Sequence, residues 1–230
     1  MIELLTFDNV LRSSLFYSAI AVVLIAIIIY IILVVVTKKI KSKVRNEELE
    51  KLKFKIQEQR AGNLKNIPLD IKEYFKSNLN NEDLENLVNT IYLNDANNVL
   101  LVGNKLEYPA LLFSYQSEAN IKVFNYDLDA RLWNNAVLEF PEFFKKKIDL
   151  IDKIDEKFKL IFAINSTQLS QTIYEKYYEH LENNGMLIIL ENVNTKRDVK
   201  TLTSFLKTKK IVYEVSKVKS NFVYIVKKDI

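Results

Sequence analysis

Two carboxylates, Asp127 and Asp129, end an apolar stretch of the sequence and are the side chains best placed for ligand chemistry. Their stretch, residues 121–129, comes after another apolar run, 98–102, which ends at Gly103. A glycine at the end of a strand lets the chain turn sharply and brings its backbone close to a ligand. In open α/β sheets, an acidic side chain at the end of the next strand holds the hydroxyl groups of a ribose. The pattern predicts a nucleoside site at Gly103 and Asp127. Two alternatives stay open: Gly103 could be a plain turn glycine, and Asp129 could be only the cap of the next helix.

The segments around this pair alternate between strands and helices. The run 98–102 is apolar throughout, which is typical of a strand buried on both faces of a parallel sheet. The last two predicted strands, 211–218 and 222–226, are separated by three residues, too few for a parallel crossover, so they form an antiparallel hairpin. The sequence therefore predicts an α/β fold with a mostly parallel sheet between helices. The other predicted strands span 148–151, 159–164 and 186–190, and the predicted helices span 69–79, 82–92, 106–115, 130–137, 168–181 and 196–207.

Composition and motifs exclude several classes of protein. The chain has no cysteine, which excludes disulfides and thiolate metal sites. The turn after the first strand, GNKLEYP, lacks the G-x-G-x-x-G of nicotinamide enzymes, and no P-loop, H-E-x-x-H or nucleophile elbow is present. Residues 37–60 carry a net charge of +5, whereas residues 61–230 are neutral. Because the basic excess lies outside the predicted domain, no nucleic-acid partner is expected.

Three stretches of the sequence resemble the class I S-adenosylmethionine-dependent methyltransferases, and among them the catechol and caffeoyl-CoA type of O-methyltransferase. The three stretches read VLLVGNKLEYPALLFSY, YDLDAR and FKLIFAINSTQLSQTIYEKYYEHLENNGMLIILENV. The resemblance covers residues 80–230 and implies a Rossmann-like, seven-stranded methyltransferase sheet that ends in the antiparallel hairpin. The activity it implies is transfer of a methyl group from S-adenosylmethionine to an acceptor that the sequence does not name.

The resemblance also implies which residues hold the cofactor. Gly103 falls on the family's first loop glycine, Tyr108 on its tyrosine, and Asp127 on the acidic residue that holds the cofactor ribose. Together with their neighbours Asn104 and Leu128, these residues form the predicted cofactor site.

The sequence departs from the family at the loop and at the metal. Glu107 replaces the second loop glycine, and the family's metal-binding aspartate falls at Ile164 or Asn165. A hard cation prefers several oxygen ligands, so no metal is expected. The candidates for acting on an acceptor hydroxyl are Asn165, Glu191 and Asn192, with a solvated strand end as the alternative for the last two. These departures lead to a second hypothesis, a catalytically inactive fold that acts as a membrane-tethered interaction protein.

The amino-terminal part of the sequence predicts a membrane anchor. Residues 15–36 contain no charge over 22 positions. As a helix they would span roughly 33 Å, enough for a hydrocarbon core of about 30 Å. Residues 1–14 have a net charge of −1, whereas lysines follow directly after residue 37. The positive-inside rule then predicts a single-pass protein of the cell membrane, with a short extracytoplasmic amino terminus and the domain 63–230 in the cytoplasm.

Residues 37–62 are predicted to form a basic juxtamembrane helix and linker, since they are rich in Lys, Glu, Leu and Gln. A partial apolar stripe leaves two alternatives open. One is a solvated spacer helix, and the other is a short coiled coil that self-associates through residues 40–60. The expected partners are therefore the lipid bilayer, an unknown methyl acceptor and, in the second case, another copy of the chain.

Overall fold

The computed structural model describes part of the amino-terminal region and nearly all of the predicted domain. The described residues are 29–30, 32–40, 43–44, 47, 50–51, 54, 56, 58, 69–191 and 196–228. Those up to residue 58 are all helical, and the chain divides into two units, 1–55 and 56–230. Most of the predicted membrane helix 15–36 lies outside the described residues. Among the described residues, no helix combines the length and the apolar character that crossing a bilayer requires.

The second unit alternates between helices and strands, as the sequence predicts. The strands are β1 (Asn98–Gly103), β2 (Asn120–Phe124), β3 (Asp149–Ile151), β4 (Phe158–Ile164), β5 (Leu181–Glu191), β6 (Val212–Lys217) and β7 (Asn221–Val226). The helices are α1 (Leu69–Tyr74), α2 (Asn81–Leu93), α3 (Glu107–Gln116), α4 (Ala130–Glu139), α5 (Ser170–Tyr177) and α6 (Lys196–Thr208). Short 3₁₀ turns occupy Asn125–Asp127, Pro141–Phe143 and Tyr178–His180.

All seven strands join one sheet in the order β3-β2-β1-β4-β5-β7-β6. Neighbouring strands from β3 to β5 run parallel, and β7 runs antiparallel to both β5 and β6. The predicted mostly parallel sheet with a closing antiparallel hairpin is confirmed. Because β1 lies between β2 and β4, the loops after these three strands meet at one edge of the sheet.

The core lies on both faces of the sheet. Val99 and Leu101 of β1 belong to a cluster that includes residues of α2 and α3. Leu100 and Val102 belong to a second cluster, which includes residues of α5 and α6. Successive side chains of a strand point to opposite faces, so a strand covered on both faces reads as one continuous apolar run.

Two elements have other boundaries in the structure than the sequence predicts. The predicted helix 168–181 is shorter, because β5 starts at Leu181 rather than at residue 186. The register of β5 against β4 shifts between the pairs Phe158–Leu181 and Leu160–Met186. Asn184 lies between these two pairs and has a φ of 56°. Residues 183–185, whose sequence is typical of the end of a helix, therefore belong to an irregular part of β5. The predicted strand 121–129 ends at Phe124, where a 3₁₀ turn begins.

The connection from β3 to β4 contains no helix and crosses the sheet in six residues, 152–157. Asn98 holds its far end, since its amide donates to Lys157 O at 2.8 Å and its oxygen accepts from Lys159 N at 3.0 Å. Lys122 of β2 forms an ion pair with Glu156. The hydrogen bond that Lys122 donates to Glu156 is the main cause of the raised pKa of Lys122. The connection that crosses β1 and β2 is thus a loop held by side chains of both strands.

Candidate functional site

A narrow cleft lies at the carboxyl ends of β1, β2 and β4. It has a volume of about 100 Å³. Its lining residues come from the end of β1, the loops after those three strands and α5: Val102, Gly103, Asn104, Tyr126, Asp127, Ser166, Thr167, Gln168, Lys176 and Tyr177. In open α/β sheets, ligands bind outside the carboxyl ends of strands where the strand order reverses. Here that point lies between β1 and β4, so the cleft is where the topology favours a ligand.

Asp127 and Gly103, both in the lining of this cleft, are in contact. The Asp127 Oδ2 atom accepts a hydrogen bond from Gly103 N at 3.3 Å. Burial raises the pKa of Asp127, while the Gly103 hydrogen bond and the charge of Lys176 act in the opposite direction. The structure therefore brings together Gly103, Asn104 and Asp127, three of the residues predicted from the sequence. Their role toward a cofactor stays a prediction.

Gly103 is required by the contact between β1 and β4. Its φ is 133°, and a Cβ atom at this position would lie 1.8 Å from the backbone oxygen of Ile164. The next residue, Asn104, donates from its backbone nitrogen to the same Ile164 oxygen at 3.3 Å. Its side chain donates to the backbone oxygen of Asn165 at 3.0 Å. The turn glycine is thus explained by strand packing, whatever the cleft binds.

Tyr108 and Leu128 do not line the cleft. The Tyr108 side chain is fully buried in the first core cluster, and burial raises the pKa of its hydroxyl. Leu128 is partly buried and packs against the same cluster. Both residues are on the side of the sheet that α3 and α4 cover, so in this structure they act through packing. Contact with a cofactor would require the cleft to extend toward them.

Glu107, at the position of the second loop glycine, turns away from the cleft lining. Its side chain is buried, and its Oε1 atom accepts from the backbone nitrogen of Asp129 at 2.8 Å. Asp129 in turn caps α4, because its Oδ1 atom accepts from Arg131 N and Leu132 N at 3.0 Å each. Asp129 therefore caps the helix, as the alternative reading of that residue allows, and Asp127 lines the cleft.

The three residues predicted to act on an acceptor differ in how close they are to the cleft in the sequence and in whether the structure describes them. Asn165, with a φ of 53°, directly precedes the cleft residues of the β4 loop. Glu191 ends β5, where its backbone pairs with Asn221, and Asn192 lies outside the described residues. Their catalytic roles stay predictions. No three His, Cys, Asp or Glu side chains converge as metal ligands within the described parts of the chain.

Sequence reasoning did not assign to the site the residues that α5 and the β4 loop contribute. Ser166, Thr167 and Gln168 directly follow β4, so the rule that loops after parallel strands form the site would have found them. Lys176 and Tyr177 enter from the end of α5, and the Lys176 Nζ atom lies 5.0 Å from the centre of the Tyr177 ring. Only the docking of α5 on the sheet brings these two side chains to Asp127.

Two tyrosines, Tyr126 and Tyr177, are among the residues that line the cleft. Tyr126 stacks on Phe124 with ring centres 4.9 Å apart and an interplanar angle of 16°, and it remains 66% exposed. Tyr177 is almost fully buried. Burial, together with the negative charge of Asp127, raises its pKa to about 12. Tyr177 therefore stays protonated at neutral pH, whereas Tyr126 presents a flat ring to solvent at the edge of the cleft.

Comparison with solved structures identifies the fold. A putative caffeoyl-CoA O-methyltransferase from Staphylococcus aureus matches with a TM-score of 0.56 at 13% identity, over 77% of this chain and 99% of that one. The fold is that of an O-methyltransferase. An O-methyltransferase from Bacillus cereus in complex with S-adenosylhomocysteine matches with a TM-score of 0.52 at 11% identity, over 77% of this chain and 90% of that one.

A methyltransferase from Podospora anserina with bound S-adenosylhomocysteine gives a TM-score of 0.53 at 14% identity, over 80% of this chain and 96% of that one. No protein-family profile matches the sequence, and no curated protein matches it. Identities this low establish a shared fold and nothing finer, since one fold hosts many activities. The activity has to be argued from the cleft of this O-methyltransferase fold itself.

Proposed function

We propose that this chain is a methyltransferase that uses S-adenosylmethionine and holds the nucleoside of that cofactor at Asp127. The observation that carries the proposal is the position of the Asp127 carboxylate, beside Gly103 at the point where the strand order reverses. Two of the solved structures with this fold contain the product form of the cofactor. A carboxylate at this place is suited to accept hydrogen bonds from both ribose hydroxyls.

The side chains around Asp127 fit the other parts of a nucleoside. Tyr126 offers an exposed ring that suits stacking of a base, an interaction worth about 1–3 kcal/mol per base. Ser166, Thr167 and Gln168 add polar groups that suit the edge of a base or sugar. The cleft volume of about 100 Å³ is below the roughly 300 Å³ of an ordinary ligand pocket. The nucleoside is therefore expected to lie partly outside the cleft or to displace its rim.

When bound, S-adenosylmethionine would supply an electrophilic methyl group on a sulfonium. The protein has to align the acceptor with that methyl group and exclude water from the contact. Asn165 directly follows β4, which lies next to β1, and Glu191 ends β5, the strand beyond β4. Asn192 is the next residue in the sequence. We place the acceptor there. An acceptor hydroxyl also needs a base, and Glu191 is the one carboxylate among these three candidates.

Binding of the cofactor is the direct test. The full-length chain in detergent micelles is titrated with S-adenosylmethionine and with S-adenosylhomocysteine by calorimetry. Micromolar binding that is lost in Asp127→Ala, while Asp129→Ala keeps its affinity, supports the proposal. Asp129 is the matched control because it lies two residues away and caps α4. Absence of binding to the wild type contradicts the proposal and returns the chain to the hypothesis of an inactive module, which neither the fold nor the comparisons support.

We propose in addition that residues 15–36 tether the protein to the cell membrane, with the domain on the cytoplasmic side. Support comes from the 22 uncharged residues and the lysines that follow them. The described helical residues of this stretch also expose their apolar side chains: Ile29, Tyr30, Ile32, Leu33, Val35 and Val36 are between 46% and 68% exposed. Recovery of the full-length protein in the soluble fraction after gentle lysis would contradict this placement.

A further inference from the structure

Strand β6 forms one edge of the sheet, and within the described residues only β7 pairs with it. It presents a valine on each of its two faces, because Val212 is 45% exposed and Val215 is 46% exposed. An edge strand carries a row of backbone N–H and C=O groups that a further strand can bind, and exposed apolar side chains favour such pairing. The β6 edge therefore has the features of an interaction surface.

The opposite edge of the sheet, β3, lacks these features. It contains three residues, whereas β6 contains six. Its first residue, Asp149, is charged and exposed. Very short strands and charged side chains are the devices by which proteins prevent pairing at a sheet edge. Of the two edges of this sheet, β6 is therefore the one suited to a partner strand.

We propose that β6 pairs with β6 of a second copy of the chain, antiparallel, about a twofold axis that passes through Val215. Such an axis is perpendicular to the sheet, so residues directly opposite each other point to the same face. Two registers that meet this condition align five of the six strand residues. One is centred on Glu214 and aligns residues 212–216, and the other is centred on Val215 and aligns residues 213–217.

The side chains of β6 favour the second register. The register centred on Glu214 places this carboxylate directly opposite its own copy, and like charges in that position are destabilising. The register centred on Val215 places two valines opposite each other and Glu214 opposite Ser216. It also places Tyr213 opposite Lys217, a pair in which an ammonium group can lie against an aromatic ring. The strand is thus complementary to itself in one register.

The same register joins apolar surface on the face beside the edge. Val212 lines a depression of about 340 Å³ together with Met186, Tyr224 and Val226. In this register Val212 lies opposite Val218, the residue after β6, which packs against the first core cluster. Apolar side chains of the two copies would therefore meet on this face, where burial of apolar area favours association.

The proposed contact leaves the cleft accessible. Strands β5 and β7 lie between β6 and β4, whereas the cleft lies at the ends of β1, β2 and β4. Pairing of two copies at β6 therefore does not cover the cleft of either copy. The inference does not depend on the proposed function, so each of the two can fail separately.

Cross-linking through a single introduced cysteine tests the register, because the chain has no cysteine of its own. In Val215→Cys the two thiols meet at the axis, where opposed Cα atoms lie about 4.5–5.5 Å apart, within the range of a disulfide. Val212→Cys is the matched control, equally exposed on the same strand, but its own copy would lie about 20 Å away along the strands. After oxidation of the full-length protein in detergent, a non-reducing gel should show at least about tenfold more covalent dimer for Val215→Cys.

Sedimentation of the same full-length protein in detergent tests the association itself. The wild type should sediment as a dimer. Val215→Lys places two lysines directly opposite each other and should raise the dissociation constant of the dimer at least about tenfold. Because Val215 is exposed, the circular dichroism spectrum of this variant should match that of the wild type.

Three results would overturn the proposal. The first is a wild type that sediments as a monomer. The second is equal cross-linking of Val215→Cys and Val212→Cys, which would indicate random collision. The third is a dimer that Val215→Lys leaves intact and Val215→Cys does not cross-link, which would place the contact on another surface, such as residues 40–60. The wild-type mass and the two cysteine variants decide the matter even if Val215→Lys fails to fold.

Discussion

The Glu107 carboxylate accepts a hydrogen bond from the backbone nitrogen of Asp129 at 2.8 Å, across a separation of 22 residues in sequence. This contact joins the loop after β1 to the loop after β2. The same two loops meet a second time where Asp127 Oδ2 accepts from Gly103 N at 3.3 Å. Two acidic side chains therefore connect the loops that border the cleft. Replacing each of them is expected to have a different effect on stability.

Replacing Glu107 should cost stability in proportion to the hydrogen bond that is lost. Glu107→Ala leaves the Asp129 N–H group without its acceptor and should lower the free energy of unfolding by about 1–3 kcal/mol. Glu107→Gln, which retains an acceptor, should cost less than Glu107→Ala. Urea denaturation of the three proteins measures the difference. An unchanged midpoint in Glu107→Ala would show that the contact does not hold the loops together.

Gly103→Ala should be among the most damaging substitutions in the domain. The new methyl group would lie 1.8 Å from the Ile164 oxygen, at a φ of 133°, so β1 and β4 would have to separate. We expect a loss of at least about 3 kcal/mol, or no folded protein. Gly185→Ala is the control, because its closest contact is 2.9 Å and the loss should be smaller. Thermal melts of both variants test the order, and equal losses would contradict the account of Gly103.

Asp127→Asn should stabilise the fold at neutral pH. Burial raises the pKa of Asp127 above its ordinary value of 3.8, so its contribution to stability is fully present below pH 3.8. That contribution is lost as the pH rises through the raised folded pKa. The variant should therefore unfold at a higher denaturant concentration than the wild type at pH 7. The two should converge when the pH falls below 3.8, and a less stable variant at pH 7 would contradict the desolvation of Asp127.

Alkaline pH should weaken the domain through its buried tyrosines. The pKa of Tyr177 is raised from 10.0 to about 12, first by burial and then by the charge of Asp127. Its stabilising contribution is complete below pH 10 and is lost as the pH rises through about 12. Unfolding midpoints at pH 8, 10 and 11 should fall for the wild type, and they should fall less for Tyr177→Phe. Identical pH profiles for the two proteins would contradict the assigned shift.

Asp83→Ala should detach the turn between β6 and β7. The Asp83 carboxylate is 1% exposed and accepts from Lys219 N at 2.9 Å, Ser220 N at 3.1 Å and Ser220 Oγ at 2.7 Å. Losing these bonds should cost about 2–4 kcal/mol, since three hydrogen bonds to one buried carboxylate are lost together. Glu82→Ala removes only an exposed ion pair to Lys219 and should cost less than about 1 kcal/mol. Chemical denaturation of Asp83→Ala and Glu82→Ala measures the two losses of stability. Losses of similar size would contradict the greater importance given to Asp83.

Most elements of the domain could be predicted from the sequence because their signal is local. Continuous apolar runs marked the strands β1 and β4, and the three-residue link between β6 and β7 required them to pair antiparallel. The start of β5 was misplaced because a distant partner overrides the local signal. Asn183, Asn184 and Gly185 read as a helix stop, yet Asn184 N and Gly185 O bond to Lys227 beside β7, a partner that no local pattern reveals.

The sequence alone established the class of fold and the acidic pair near its binding edge, because the spacing of apolar residues and turns depends on short-range geometry. Tertiary structure decided the separate roles of the two residues in that pair. Asp127 accepts a hydrogen bond from the Gly103 backbone, whereas the Asp129 backbone donates one to Glu107. It also brought Lys176 and Tyr177 to the cleft. These contacts join residues 22 or more positions apart, and they form only once the strand order places β1 between β2 and β4.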